Sequence, residues 1–119
     1  MRLIICGGRD FADHELFHTA ITDWIVEHDW PTVVITGGAT GADELGKQFA
    51  KTYKIKHVEY PADWKKHGGA AGPKRNGVMA AYAAAGMEGG CLALPGGRGT
   101  ADMCRQAEAA GLIVTKVQP

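Results

Sequence analysis

Three times in this chain a short apolar run stops at a glycine pair and is followed by a segment with helical spacing. RLIIC precedes Gly7-Gly8, TVVIT precedes Gly37-Gly38, and CLAL precedes Pro95-Gly96-Gly97. No other feature restricts the fold as much. Four or five apolar residues closed by turn residues read as a strand buried on both faces. A helix after each one supplies the crossover that parallel strands require.

The expected strands are residues 2–6, 32–36, 56–60, 91–94 and 112–117. Between the first two, Asp13 can cap a helix whose Leu16, Phe17, Ala20, Ile21, Trp24, Ile25 and His28 share one stripe. Ala42, Leu45, Phe49 and Tyr53 mark a second helix, residues 73–84 a third, and Met103, Cys104, Ala107 and Ala110 a fourth that Gly111 ends. The fold class that follows is α/β: a single doubly wound Rossmann-like domain over residues 1–119, with a five-stranded parallel sheet and helices on both faces. The expected strand order is 3-2-1-4-5. Residues 61–72 (PADWKKHGGAAG) have neither period and are expected to form a functional loop folded over the site.

Charge and cysteine content narrow the function classes. Lysine plus arginine and aspartate plus glutamate are thirteen each, which leaves no electrostatic footprint for extended binding to nucleic acid. No apolar run approaches the roughly 20 residues that span a bilayer, and the start of the chain lacks a signal-peptide layout. A cytoplasmic protein without a membrane partner is expected. Cys6, Cys91 and Cys104 are odd in number and lack C-x-x-C spacing, which argues for buried thiols rather than a disulfide framework or a zinc site. Neither a metal nor a cofactor is expected.

In an open parallel sheet, ligands bind beyond the carboxyl ends of the strands, where strand order reverses. GGRDF and PGGRGT would flank that crevice, with GGATGAD beside them. Pro95, Gly96, Gly97, Arg98, Gly99 and Thr100 place glycines and a helix N-terminus together, which suits a phosphate. A plain strand-to-helix turn is the alternative, but it needs one or two glycines rather than three and an arginine. Gly7, Gly8, Gly37 and Gly38 are candidates for close backbone approach, though the latter pair can also simply end a strand. Arg9 and Arg75 are candidate phosphate clamps, Asn76 a ribose or phosphate contact, and Trp64 a surface on which a base can stack. Asp10, Asp43 and Asp102 are the candidate catalytic carboxylates, with helix or turn capping as the alternative for the first two. Walker A and G-x-G-x-x-G patterns are both missing.

Taken together, GGRDF, GGATGAD, PADWKKHGGAAGPKRNGVM and LPGGRGTADM resemble the YspA-like branch of the SLOG superfamily. The resemblance implies a Rossmann-like fold, a nucleotide-type ligand and, through the dimeric Lonely Guy phosphoribohydrolases, a homodimer. Those enzymes pair R-K-x-x-M with PGGxGTxxE. Here Arg75 and Met79 fit the first pattern but Asn76 replaces its lysine, and Met103 stands where the catalytic glutamate would be. Asp102 lies one residue earlier, about 100° around a helix. Thr40 replaces an arginine usual in the YspA-like pattern.

Three readings follow. The chain is a binding module for a phosphorylated nucleotide-like small molecule, an N-glycosidic hydrolase of nucleotides, or a DprA-like binder of single-stranded DNA. The neutral net charge disfavours the last.

Overall fold

The computed structural model describes residues 1–119. Five strands, β1 (Arg2–Cys6), β2 (Val33–Thr36), β3 (Lys56–Glu59), β4 (Gly89–Ala93) and β5 (Ile113–Lys116), form one all-parallel sheet in the order β3-β2-β1-β4-β5. This is the Rossmann-like architecture and the strand order expected from the sequence. The order reverses between β1 and β4, so the crevice opens at their carboxyl ends.

Side-chain alternation on β1 divides the core in two. Leu3 and Ile5 face one side, packing with Phe17, Ile21 and Trp24 of α1 (His14–His28) and with Phe49 and Ala50 of α2 (Ala42–Thr52). Ile4 and Cys6 face the other, with Met79, Ala80 and Ala83 of α4 (Ala71–Ala84) and Met103, Cys104 and Ala107 of α5 (Arg98–Ala109). Each cluster holds 12 buried residues, so neither face of the sheet is left open. All three cysteines are buried and free. No helix is long and apolar enough to cross a membrane.

Local signals set the helix ends. Asp13 accepts a hydrogen bond from the Leu16 amide at 3.0 Å and caps α1. Gly111, at φ +82°, follows α5 as its left-handed stop.

The segment 61–72 corrects the expectation of an unstructured loop. It contains a short helix, α3 (Trp64–His67), a 3₁₀ turn (Gly68–Ala70) and the first two residues of α4. Asp63 nucleates α3 by accepting from the Lys66 amide at 3.1 Å. Helix α4 begins at Ala71 rather than at Pro73, because a proline in the first helical turn removes an N–H that has no intrahelical partner. Strand β4 runs Gly89–Ala93 rather than 91–94. Gly89 pairs with Arg2, and a β-carbon there would meet the Ala83 carbonyl oxygen at 2.6 Å.

Candidate functional site

A cleft of about 570 Å³ opens at the crevice between β1 and β4. That volume is in the range of small-molecule sites. The structure brings Gly7, Gly8, Arg9, Trp64, Arg75, Asn76, Gly97, Arg98, Gly99 and Thr100 to its wall, together with Asp43 and Asp102. Gly37, Gly38, Pro95, Gly96 and Asp10 do not line it. Two of these hold the wall from behind. The Gly37 carbonyl anchors Arg75, and Gly96 packs so closely on Thr100 that a β-carbon would collide with its hydroxyl.

The loop after β1 is clipped to its neighbours through the backbone. The Gly8 amide donates to the Pro95 carbonyl at 2.9 Å, and the Ala42 amide donates to the Gly8 carbonyl at 3.2 Å. Thr40 donates its hydroxyl to the Arg9 carbonyl at 3.0 Å. The contact requires Gly41, which has φ +74° and whose β-carbon would strike the Gly8 and Arg9 carbonyls. The threonine at position 40 thus joins two loops.

Arg75 is fixed before any ligand arrives. Its Nε donates to Asn76 Oδ1 at 3.0 Å, and its Nη1 donates to the carbonyls of Gly37 at 2.8 Å and Tyr60 at 3.2 Å. Burial lowers the pKa of the guanidinium and the charge of Asp43 raises it, yet it remains charged at any ordinary pH. Arg9 is exposed and reaches over Trp64, with its guanidinium carbon 5.6 Å from the ring centroid. Trp64, at the start of α3, is itself half exposed.

Asp43 is buried, and its Oδ2 accepts from the amides of Gly37 at 3.1 Å and Ala39 at 3.2 Å. Burial pushes its carboxyl above the usual aspartate range, against the pull of the Ala39 amide, the Arg75 charge, the Gly37 amide and the Arg9 charge. An acid whose folded-state pKa is raised destabilises the fold while it is ionised, and that cost shrinks as pH falls below the folded value and is gone below the unfolded one. Asp43→Asn keeps an acceptor for both amides without the buried charge. It is therefore expected to melt at or above the wild-type temperature at pH 7, with the gap closing on acidification. Thermal melts from pH 7 to pH 4 test this; a gap that widens towards low pH contradicts it.

Helix α5 presents an uncapped N-terminus to the cleft. Gly97 occupies its N-cap position, no side chain bonds there, and the first helical bond is Ala101 N–H to the Gly97 carbonyl at 3.0 Å. The amides before Ala101 in the first turn have no intrahelical acceptor. Gly97 has φ −102°, and no left-handed φ occurs at Gly99. A β-carbon at either position meets nothing within 4 Å. The fold itself does not demand these two glycines, which distinguishes them from Gly7, Gly41 and Gly96.

Asp102, one turn into α5, carries an ordered carboxylate. Its Oδ2 accepts from Asn76 Nδ2 and Gln106 Nε2, each at 2.9 Å, and Oδ1 lies 3.6 Å from Arg105 Nη2. Met103, at the position of the phosphoribohydrolase glutamate, is 1% exposed and belongs to the core cluster of Ile4, Met79 and Cys104, where it borders the cleft as an apolar group.

Sequence reasoning missed Cys6 and Arg105, which also line the cleft. Hydrogen bonding to Cys104 and Cys91, with burial, holds the Cys6 thiol well above its usual pKa, so it enters the wall as a neutral group. For Arg105 a signal existed. Arg98, Asp102 and Arg105 stand at i, i+4 and i+7, which is one helix face.

A family model, YAcAr, described as the YspA, cpYpsA-related SLOG family, matches residues 1–67, the segment that carries GGRDF and GGATGAD. The Gene 61 protein of Mycobacterium phage D29 is 33% identical over 120 residues, spanning 95% of this chain and 93% of its own length.

Proposed function

Because the chain belongs to the YspA, cpYpsA-related SLOG family, we propose that its cleft binds a phosphorylated, nucleotide-like small molecule. One observation carries this reading. Four of the five arginines, Arg9, Arg75, Arg98 and Arg105, line the cleft, and none of the eight lysines does. Guanidinium is the side chain whose fork matches phosphate oxygens with paired hydrogen bonds. The chain as a whole is neutral, so this is a local concentration of charge rather than a basic surface. It supports a compact anion over a nucleic-acid strand.

In this reading the free amides of α5 and Arg98 hold a phosphate, Arg9 adds a second cation, and a base stacks on Trp64, while Asn76, whose amide is spent on Arg75, Gly99 and Asp102, positions the wall rather than touching the ligand. No metal is required. Arg98 is exposed and makes no salt bridge, so its removal leaves the fold intact. Arg98→Ala is expected to weaken nucleotide binding roughly ten- to a hundredfold, the equivalent of losing one charge-assisted hydrogen bond. Calorimetric titration with nucleoside mono- and diphosphates measures it. Unchanged affinity in a folded variant removes Arg98 from the site.

The Asp102 carboxylate favours a second reading, cleavage of the N-glycosidic bond. Oxocarbenium-like chemistry needs a fixed anion near the anomeric carbon, and Asn76 and Gln106 fix one at the cleft wall. Free base appearing during those titrations separates hydrolysis from binding.

A further inference from the structure

The four cleft arginines fall into two groups with similar composition. Arg9 and Arg75 stand with Asp43, close enough that Arg9 and Asp43 perturb the Arg75 guanidinium in opposite senses. Arg98 and Arg105 stand with Asp102 on one face of α5, where Arg105 pairs with Asp102 at 3.6 Å. Each group has two guanidiniums and one carboxylate, a formal charge of +1, in a chain whose net charge is zero.

Asn76 separates and joins them. It is buried, accepts from Arg75 Nε through Oδ1 at 3.0 Å, and donates through Nδ2 to Asp102 at 2.9 Å. An asparagine that spends both ends of its amide in this way holds the two groups at a fixed spacing. Asn76 also donates to the Gly99 carbonyl at 3.3 Å, which registers the spacer against the first turn of α5.

Arg75 sits on one side of the Asn76 amide and Asp102 with the first turn of α5 on the other, so a phosphate at that turn leaves the +1 charge of the Arg9, Arg75 and Asp43 group without a counter-anion. Arg75 cannot follow it, because three of its N–H groups are committed to Gly37, Tyr60 and Asn76. We infer that the ligand carries two phosphoryl groups, one held at the first turn of α5 with Arg98 and Arg105, the other at Arg9 and Arg75 across Asn76. The chemical class is a nucleoside diphosphate or a molecule containing that unit. This rests on the reading of the cleft as a nucleotide site and adds the phosphate count to it.

The test is calorimetric titration of the full chain with the mono- and diphosphates of adenosine, guanosine, cytidine and uridine, with phosphate and pyrophosphate alongside. For at least one base the diphosphate is expected to bind at least about tenfold more tightly than its monophosphate, since one further guanidinium contact is worth about that factor. Arg9 makes no side-chain hydrogen bond or salt bridge, so Arg9→Ala is expected to fold, and it should bring the diphosphate-to-monophosphate ratio down towards one. Equal affinities in the wild type, or a ratio that Arg9→Ala leaves unchanged, overturn the inference while the nucleotide reading stands. Failure of every nucleotide to bind overturns both.

Discussion

Gly97→Val is expected to abolish nucleotide binding, by more than about a hundredfold, in a protein that still folds. The two halves of that expectation come from different observations. Gly97 has φ −102° and a β-carbon there meets no atom within 4 Å, so the fold leaves room for the branch point of a side chain. Valine is a poor N-cap, which costs about 1 kcal/mol and a few degrees of melting temperature. Its methyls would, however, occupy the space beside the first-turn amides of α5, where a phosphate oxygen must come within roughly 3 Å of nitrogen. Gly96 is the contrasting position. A β-carbon there would lie 2.7 Å from the Gly8 nitrogen and against the Thr100 hydroxyl, so Gly96→Val would injure the fold and say little about binding. Calorimetry and circular dichroism on Gly97→Val separate the effects. A folded variant with unchanged affinity would move the anion site away from α5.

The largest loss of stability is expected from Arg75→Ala. That side chain joins the ends of β2 and β3 to α4 through the Gly37 carbonyl, the Tyr60 carbonyl and Asn76 Oδ1. It is also a source of positive charge for the buried Asp43 carboxylate. Truncation leaves acceptors without a donor and a buried charge without one of its partners, a combination that costs about 3–5 kcal/mol. Against a total stability of roughly 5–15 kcal/mol the melting temperature should fall by roughly 10–20 °C. Lysine should restore little of it, because one ammonium cannot serve the fork's directions. Gly37→Ala should act through the same network, since its β-carbon would lie 2.6 Å from the Arg75 guanidinium carbon. Denaturant unfolding of the three variants checks the account; an Arg75→Ala loss below about 1 kcal/mol contradicts it.

Fold and site were legible in the sequence to different depths. The parallel sheet was legible in β1, β2 and β4, apolar runs that are buried from end to end apart from the first residues of β1 and β2 and that alternate with helical segments. Helix α3 was not legible, because four residues contain barely one turn and carry no period; only the Asp63 cap announced it. Pro73 marks the first turn of α4 but not its first residue, because proline is tolerated elsewhere in that turn. The glycines showed where the backbone turns but not why. Gly41 and Gly7 are needed by packing, which depends on the distant loops they touch, whereas Gly97 and Gly99 face open space. The Asp102 carboxylate is held by Gln106, an i, i+4 neighbour, and by Asn76, 26 positions away, and no local pattern carries the second link.

The central claim is that the first turn of α5 and the loop after β1 together hold the phosphate portion of a nucleotide. Backbone amide chemical shifts measured by NMR while a nucleoside diphosphate is titrated into the full chain report on it residue by residue. The account predicts that the largest saturable shifts fall on Arg98, Gly99 and Thr100, with a second group at Gly7, Gly8 and Arg9 and smaller changes around Arg75 and Asn76. Saturable shifts confined to another surface, such as the apolar groove that Phe17, Ile21, Trp30 and Tyr53 line between α1 and α2, would contradict it.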